Sequence, residues 1–378
     1  MTTLTGLFFT IFVGIHVVLM LGVFLEYLRN QSAKAIEKQR TIPVSIIIPV
    51  HNEAGRIKPL LQSLLSQDYS SIQLIFVDDR STDETGQLLS DFSKQFTRGN
   101  RTCHILTLTE NPGPNYKQFG LLQGYKMVTG ELILLTDADC ELPSTWVSGM
   151  VRRMMVEDTG LIIGPVFKFI PKTSFLFKTQ AFDHAIRFIY AAASTGIGFA
   201  GAGFGNNMAV RKVALEAAGG YEAVPPSVTE DAALISLISA KTPFKVRAGL
   251  GADILVMTET EKTWKQFIIQ AVRWTKGGIF SPDLATRIAF SILMGMISLG
   301  ILALPFLLVL PELWPLPCAV FCAMLMNTSA ALAISGDALK PLGPLDIFIQ
   351  LLFTPVLNTL LTLMTVFRVP IYWKGKKV

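Results

Sequence analysis

The chain has 378 residues, of which 51% are hydrophobic and only 16% are charged, and its formal net charge is +5. A soluble domain carries about 25% charged residues, so part of this chain is expected to lie in lipid. The basic residues form no long stripe, which argues against nucleic acid as a partner.

The N-terminal segment reads as a membrane anchor. Residues 5–25 are apolar and uncharged, and this length suffices to span a bilayer. The basic residues come after the segment rather than before it, unlike those of a signal peptide. By the positive-inside rule its C-terminal end lies on the cytoplasmic side. We predict an uncleaved anchor over residues 1–28 and a basic linker over residues 29–42.

The next part of the chain alternates apolar strands with helices. Glu53 to Leu65 shows helical spacing, and a further helix is expected from Thr82, with Ser81 or Thr82 as its N-cap. Such alternation predicts an α/β domain with a mostly parallel sheet that is covered on both faces. Ligands of such sheets bind at the carboxyl ends of the strands. The expected strands are residues 44–50, 72–77, 103–108 and 132–136.

The C-terminal third is mostly apolar. Three segments contain no charged side chain and are long enough to span a bilayer, namely residues 288–311, 313–336 and 347–367. Prolines within them predict kinks or irregular ends. The preceding stretch, residues 264–278, mixes aromatic, aliphatic and basic side chains, and it is interpreted as an amphipathic helix at the membrane surface.

Two arrangements are possible for the side of the membrane on which the basic tail lies. Three full spans would place the tail outside, whereas the positive-inside rule assigns it to the cytoplasm. We favour a cytoplasmic tail, with residues 347–367 re-entrant or interfacial. The predicted order is an anchor (1–28), a basic linker (29–42), an α/β domain (43–250), an amphipathic segment (251–284), a membrane region of two to three helices (285–368) and a basic tail (369–378).

Two acidic clusters follow predicted strands. Asp137 and Asp139 form a D-x-D pair after the fourth strand. The structural alternative is a solvated turn. The functional interpretation is that the two carboxylates diverge at the strand end, so that one binds a divalent cation and the other contacts a ribose. Asp78 and Asp79 follow the second strand and would accept hydrogen bonds from a nucleoside, or else cap the next helix.

A third acidic pair opens an apolar helix. Glu230 and Asp231 follow a turn that contains two prolines. Acids suit the dipole of a helix N-terminus, which is the structural alternative. The functional interpretation is a general base that deprotonates an acceptor hydroxyl. Asp231 is the better candidate, and Glu230 would shape its surroundings.

The last cluster is residues 270–274 (QAVRW). Its i, i+3, i+4 spacing places Gln270, Arg273 and Trp274 on one helical face. Arg273 could pair bidentately with a diphosphate, and Trp274 offers a flat surface to a sugar ring. The alternative is an aromatic and cationic belt at the membrane interface.

Taken together, these clusters resemble glycosyltransferase family 2, the membrane-bound inverting enzymes with a GT-A fold. The matching motifs fall in the family's order over roughly residues 43–278. They are P-x-x-N-E at 49–53, D-D-x-S-x-D at 78–83, D-x-D at 137–139, the glycine and asparagine loop at 203–212, E-D at 230–231 and Q-x-x-R-W at 270–274.

The resemblance implies a donor that is a nucleotide sugar of the uridine diphosphate type, with Mg²⁺ or Mn²⁺ as cofactor. It implies Asp139 as the metal ligand and Asp231, supported by Glu230, as the catalytic base. Gln270 and Trp274 would border the acceptor. The residues implied to bind the donor are Glu53, Asp78, Asp79, Lys117, Asp137, Asn206 and Arg273.

Three functions follow as hypotheses. The first is transfer of a single sugar to a lipid-borne acceptor by a multi-pass enzyme of the cell membrane, with its catalytic domain in the cytoplasm. The second is a processive polysaccharide or oligosaccharide synthase, because Q-x-x-R-W is common in processive members of the family. The third, a non-catalytic membrane scaffold, is disfavoured because Asp139 and Asp231 are both present.

Overall fold

The computed structural model of the protein describes residues 2–34, 41–113, 115–156, 158–171, 174–227, 229–281, 283–370, 372–373 and 376–377. The predicted basic linker (29–42) and basic tail (369–378) therefore lie partly outside the described residues. The chain forms two compact units. The sheet unit consists of Leu25–Phe167 and Gly198–Glu259, and the helical unit consists of Met1–Phe24, Lys168–Ile197 and Thr260–Val378.

A seven-stranded mixed sheet is the centre of the sheet unit. The strands of this unit are β1 (Val44–Val50), β2 (Ile72–Asp78), β3 (Arg101–Thr107), β4 (Leu132–Leu135), β5 (Cys140–Glu141), β6 (Thr159–Ile163), β7 (Val166–Lys168), β8 (Met208–Arg211), β9 (Lys245–Ala248) and β10 (Val256–Thr258). Only the last residue of β7, Lys168, belongs to the helical unit. The order in the large sheet is β3-β2-β1-β4-β8-β6-β9. Strands β1 to β4 run parallel, whereas β8 is antiparallel to both β4 and β6. The expectation of a mostly parallel sheet is confirmed.

The four predicted strands are all found, with ends within two residues of those expected. Their aliphatic runs are buried along almost their whole length in β1, β2 and β4. This is expected for strands that helices cover on both faces. The main core of the unit packs around fully buried Trp146, Phe76 and Ile46.

The helices of the chain are α1 (Thr2–Lys34), α2 (Lys58–Leu65), α3 (Thr85–Phe96), α4 (Tyr116–Tyr125), α5 (Trp146–Met154), α6 (Phe175–Gly196), α7 (Lys212–Ala217), α8 (Glu230–Lys241), α9 (Trp264–Ile279), α10 (Leu284–Leu302), α11 (Pro315–Ile334) and α12 (Pro344–Val366). Two predicted starts are wrong. Helix α2 begins at Lys58 rather than Glu53, because Arg56 and Ile57 first form a turn on the Glu53 carbonyl.

Helix α3 begins at Thr85 rather than Thr82, and neither Ser81 nor Thr82 is its N-cap. The backbone N–H of Thr82 donates instead to the Asn52 side chain at 2.8 Å. Asp83 accepts from the Thr85 N–H at 3.0 Å. The polar residues before α3 therefore tie the loop to its neighbour instead of extending the helix.

Four helices of the described chain are long and apolar enough to cross a membrane. They are Thr3–Ala33, Leu284–Leu308, Pro311–Ile334 and Pro344–Val366. One is N-terminal and three are C-terminal, as the fold prediction states. The prolines between the second and third give 3₁₀ turns at Leu304–Leu308 and Pro311–Leu313, which confirms the expected irregular ends. These helices indicate that the protein associates with a membrane.

The proline inside the last apolar segment does not end its helix, because α12 runs continuously through Pro355. Its residues Leu357 and Leu361 pack against Phe267, Ala271 and Val272 of α9, and this packing supports the part of the helix that follows the proline. The tail strands β11 (Tyr372–Trp373) and β12 (Lys376–Lys377) pair antiparallel, and β11 lies beside α9.

No helix is predicted from the sequence at residues 175–196, where the structure has the 22-residue α6. The helix packs closely on α1, where a Cβ on Gly22 would overlap the Ala193 carbonyl oxygen. His16 of α1 makes a 3.0 Å hydrogen bond with the Tyr190 hydroxyl. That hydroxyl also accepts from Asn327 of α11 at 3.0 Å. The interior polar groups of this unit therefore bind one another across helices.

Candidate active site

The candidate site lies at the carboxyl ends of β1, β2 and β4. Val50 pairs with Asp78, and Ile47 pairs with Leu135, so the residues that follow these parallel strands emerge at one edge. Met208, the first residue of antiparallel β8, pairs with Leu135, so the loop before β8 reaches the same edge. This is the edge at which parallel sheets bind ligands.

Asp78 and Asp79 are both buried at this edge, at 4% and 9% exposure. Asp78 accepts from the backbone N–H of Ser81 at 3.0 Å, so it caps the turn after β2. Asp79 accepts from Arg80 Nε at 2.8 Å and from Asn111 Nδ2 at 3.0 Å. A carboxylate offers about four lone-pair sites, so each side chain retains acceptors for a ligand.

The loops after β1 and β2 hold each other in a strained conformation. Asn52 and Arg80 have φ of 55° and 59°, a left-handed region that costs a non-glycine residue about 1 kcal/mol or more. Cross-loop hydrogen bonds maintain it, from Thr82 N to Asn52 Oδ1 at 2.8 Å and from Ala54 N to Asp83 Oδ2 at 3.1 Å. Asp83 therefore helps to hold this loop in place.

Arg56 links Glu53 to the D-x-D motif. Its guanidinium donates through two nitrogens to the Glu53 carboxylate, one of them at 2.8 Å. Arg56 Nη1 lies 3.6 Å from Asp139 Oδ2 and 4.0 Å from Glu259 Oε2. The hydrogen bond to Glu53, aided by these acids, keeps the pKa of Arg56 above its usual value. Asp139 has no basic neighbour in the sequence, but it has one in the fold.

Lys117 joins Asp137 to Glu230. Its Nζ lies 2.7 Å from Asp137 Oδ1 and 3.3 Å from Glu230 Oε1. Burial lowers the pKa of Lys117, but the charges of Asp137 and Glu230 outweigh it and raise that pKa above its usual value. Asn115 caps α4 by accepting from the Lys117 N–H at 3.1 Å. The lysine therefore stays charged between two carboxylates.

Asp231 lies in the first turn of α8. Its Oδ2 accepts from the backbone N–H of Gly205 at 2.9 Å, and its Oδ1 accepts from Ala232 N at 2.8 Å. Burial and the neighbouring charge of Glu230 raise the pKa of Asp231 to about 6, although Lys117 opposes the rise. A carboxylate with this pKa is still ionised at neutral pH and is basic enough to take a proton.

The glycine-rich loop before β8 lies against α8. A Cβ on Gly205 would lie 3.1 Å from the Asp231 Cβ, and a Cβ on Gly203 would lie 2.6 Å from Ile235 Cδ1. The absence of side chains at these positions therefore allows the loop to hold Asp231. Asn206 follows, and its Nδ2 lies 3.5 Å from the sulfur of Cys140, directly after the D-x-D motif.

The last cluster, residues 270–274, lies in the helical unit. Gln270, Arg273 and Trp274 belong to α9 of the helical unit. Gln270 donates to Glu261 at 2.9 Å, and the Arg187 guanidinium carbon lies 5.4 Å from the Trp274 ring centre. The sheet unit contains the remaining predicted site residues, namely Glu53, Asp78, Asp79, Lys117, Asp137, Asp139, Asn206, Glu230 and Asp231.

Three residues that the sequence analysis did not name belong to this edge. Arg56 could have been found from its i, i+3 spacing to Glu53, and Asn115 from its preference for helix N-caps. Tyr221 had no such signal. It is 5% exposed, and burial together with the charge of Glu230 raises the pKa of its hydroxyl.

Comparisons with known proteins find similarity to glycosyltransferases. The family model described as glycosyl transferase family 21 matches residues 7–378. The probable glycosyltransferase YdaM of Bacillus subtilis is 26% identical over 278 residues, which are 69% of this chain and 62% of YdaM. Beta-monoglucosyldiacylglycerol synthase of Nostoc sp. is 28% identical over 227 residues, which are 59% of this chain and 45% of the synthase. The chain thus spans less than two thirds of either relative.

Among solved structures, the mannosyltransferase PcManGT of Pyrobaculum calidifontis, in complex with GDP-Man and Mn²⁺, has a TM-score of 0.56. The match covers 95% of this chain and 99% of that one at 17% identity, so it is a likeness of fold. It confirms the expected GT-A architecture. Because the family model matches nearly the whole length, the chain belongs to glycosyl transferase family 21.

Proposed function

We propose that the protein is an inverting glycosyltransferase of the cell membrane, which transfers a sugar from a nucleotide-sugar donor to a lipid-borne hydroxyl or carboxyl group. The observation that supports the proposal most directly is the environment of the Asp231 carboxylate. Its carboxylate is held by the Gly205 N–H at 2.9 Å, and its pKa is raised to about 6. A base of this kind, beside the acidic sheet edge, suits removal of a proton from an acceptor.

In this mechanism Asp231 accepts the proton of the acceptor hydroxyl as that oxygen attacks the anomeric carbon of the donor. The bond between the anomeric carbon and the diphosphate oxygen breaks, and the nucleoside diphosphate leaves. A single displacement inverts the configuration of the sugar. Glu230 supports the base through its charge, which favours the protonated form of Asp231.

The donor is proposed to be a uridine diphosphate sugar bound along the edge. Asp78 and Asp79 would accept hydrogen bonds from the nucleoside, with Glu53 holding the neighbouring loop. Lys117, which is charged and lies 2.7 Å from Asp137, would attract the diphosphate. Asn206 would approach the donor from the loop before β8.

Asp139 would hold Mg²⁺ or Mn²⁺. The described residues include no group of three or more His, Cys, Asp or Glu side chains that could hold a metal by themselves. The Asp139 side chain is 25% exposed and supplies a hard oxygen, which fits a cation that takes one carboxylate and completes its shell with phosphates and water. The metal, when bound, would neutralise the charge that develops on the leaving diphosphate.

The acceptor is proposed to reach the enzyme from the membrane. Arg273 would contact the diphosphate, and Gln270 and Trp274 would border the acceptor. The helical unit that contains them also contains the three C-terminal helices of membrane-spanning length. The name of the Nostoc relative, a monoglucosyldiacylglycerol synthase, favours a lipid acceptor. We propose a multi-pass protein with the sheet unit in the cytoplasm, in line with the basic residues after the first span.

A processive synthase of the same family is the second candidate, and Q-x-x-R-W at residues 270–274 favours it. One experiment separates the candidates. Purified protein in detergent is incubated with a panel of nucleotide sugars and native lipids, and the products are identified by mass. A lipid that carries one added sugar supports the proposal, whereas a ladder of glycan lengths supports the synthase. Absence of any donor turnover across the panel would contradict both.

A further inference from the structure

A polar face of α6 lies toward the Q-x-x-R-W helix within the helical unit. Gln180, Asp183, His184 and Arg187 recur at the i, i+3, i+4 and i+7 positions of α6, which is one side of a helix. The first three are almost fully buried, at 1%, 2% and 3% exposure. Buried polar side chains on one helical face require a reason, because burying them without partners is costly.

The partner of the C-terminal half of this face is Trp274. The guanidinium carbon of Arg187 lies 5.4 Å from the centre of the Trp274 ring, a cation–π distance. Arg187 Nε donates to Asp183 Oδ2 at 2.7 Å. The ring of His184 meets that of Trp274 at a centroid distance of 5.6 Å and an angle of 75°. The indole is therefore held by a cation that is itself held by a buried carboxylate.

The N-terminal half of the face reaches Gln270 through one intermediate. Gln180 donates to the Glu261 carbonyl at 2.9 Å and accepts from the Glu261 N–H at 2.7 Å. The Glu261 carboxylate accepts in turn from Gln270 Nε2 at 2.9 Å. One face of α6 thus determines the surroundings of two members of the motif.

We propose that Asp183 and Arg187 are positioning residues that orient Trp274 for the acceptor, and that Gln180 does the same for Gln270 through Glu261. This inference rests on the proposed function, in which Trp274 borders the acceptor. A buried ion pair is a weak source of stability, because apolar side chains of similar volume often replace one at no cost. The Asp183–Arg187 pair is better explained by the fixed place it gives to the guanidinium over the indole.

The decisive variant is Arg187→Gln, which removes the cation and keeps a polar side chain. Lys178→Gln is the matched control, because Lys178 lies on the same helix in a similarly buried ion pair, 2.7 Å from Asp346. A cation–π contact of ordinary strength corresponds to a change of roughly five-fold in binding. We expect Arg187→Gln to raise the acceptor KM by about that factor, with nucleotide affinity unchanged. Arg187→Lys, which keeps the charge, should give an intermediate KM.

A second readout reports on the ring without any turnover. The protein has five tryptophans, so labelling with 5-fluorotryptophan gives a small fluorine NMR spectrum, and Trp274→Phe assigns the resonance of interest. We expect Arg187→Gln to move the Trp274 resonance and leave the others in place. Lys178→Gln should leave the Trp274 resonance where it is. Arg187→Lys serves both readouts if the glutamine variant does not fold.

The outcomes separate the positioning role from the proposed function. A moved resonance together with a raised acceptor KM supports the inference. An unmoved resonance overturns it, and so does a moved resonance with an unchanged acceptor KM. If the unaltered protein turns over no donor, the proposed function fails by that result alone, and with it the positioning role. The NMR comparison would then still report whether Arg187 holds the ring.

Discussion

Replacing Lys117 with methionine tests the electrostatic coupling of the site. Methionine keeps the length of the side chain and removes its charge. Lys117 lowers the pKa of Asp231, which burial and Glu230 raise to about 6, so the variant should raise that pKa further. A base works only when deprotonated, so activity is lost as the pH falls through its pKa. The loss should therefore occur at a higher pH in Lys117→Met.

The size of the effect follows from Coulomb's law. An opposite charge within about 4–6 Å shifts the pKa of a carboxyl group by about 1–3 units, and one pKa unit corresponds to about 1.4 kcal/mol. Screening at a partly exposed site reduces this, so we expect the acid limb of kcat to move up by about one unit. The variant should also lower the thermal unfolding midpoint, because Asp137 and Glu230 lose their shared counter-ion.

The assay is the pH dependence of kcat at saturating donor, measured between pH 5 and 8 as in a standard acid-base profile. Lys212→Met is the control, because Lys212 has a similarly exposed side chain and pairs with Glu216 on α7, away from the carboxylate cluster. Its acid limb should stay near pH 6. An unmoved limb in Lys117→Met would refute the reasoning that Asp231 titrates under the influence of this lysine.

Three further predictions follow. Chelation should abolish transfer and Mn²⁺ should restore it in the unaltered protein, whereas Asp139→Ala should lose the response to Mn²⁺; full activity of Asp139→Ala in chelator would contradict the metal role. Arg273→Lys should weaken nucleotide diphosphate binding roughly ten-fold in a titration, because the planar fork is lost, and unchanged affinity would favour an interface role. A cysteine added after residue 378 should react with an impermeant reagent only after permeabilisation. The reason is that β11 of the tail lies beside α9, the amphipathic helix that we place at the cytoplasmic surface of the membrane. Labelling in intact cells would show an external tail.

Much of the fold could be predicted because it depends on local patterns. The aliphatic run of β1 and the acids that follow β2 and β4 indicate a parallel sheet and its ligand edge without any knowledge of packing. The starts of α2 and α3 could not be predicted in the same way. The residues before α3 bond across to the loop after β1, with Thr82 N donating to Asn52 at 2.8 Å, and long-range pairing of this kind outweighs helix propensity.

The partners of the site residues could not be predicted, because they come from distant parts of the chain. Arg56 approaches Asp139, and Lys117 joins Asp137 to Glu230, although each pair is far apart in sequence. Helix α6 was not predicted, because its alanine-rich and partly polar sequence has the pattern of neither a surface amphipathic helix nor a transmembrane helix. It packs on other helices by close contact at Gly22, which depends on the partner as much as on its own sequence.

The central claim is that Asp231 is the base of a glycosyl transfer. The most direct measurement compares nucleotide affinity and single-turnover transfer in the unaltered protein and in Asp231→Asn. The amide keeps the size of the side chain but cannot take a proton, so the account predicts unchanged nucleotide binding and a transfer rate lower by at least ~10²-fold. Transfer at a near-normal rate by Asp231→Asn, with nucleotide bound as before, would contradict the account.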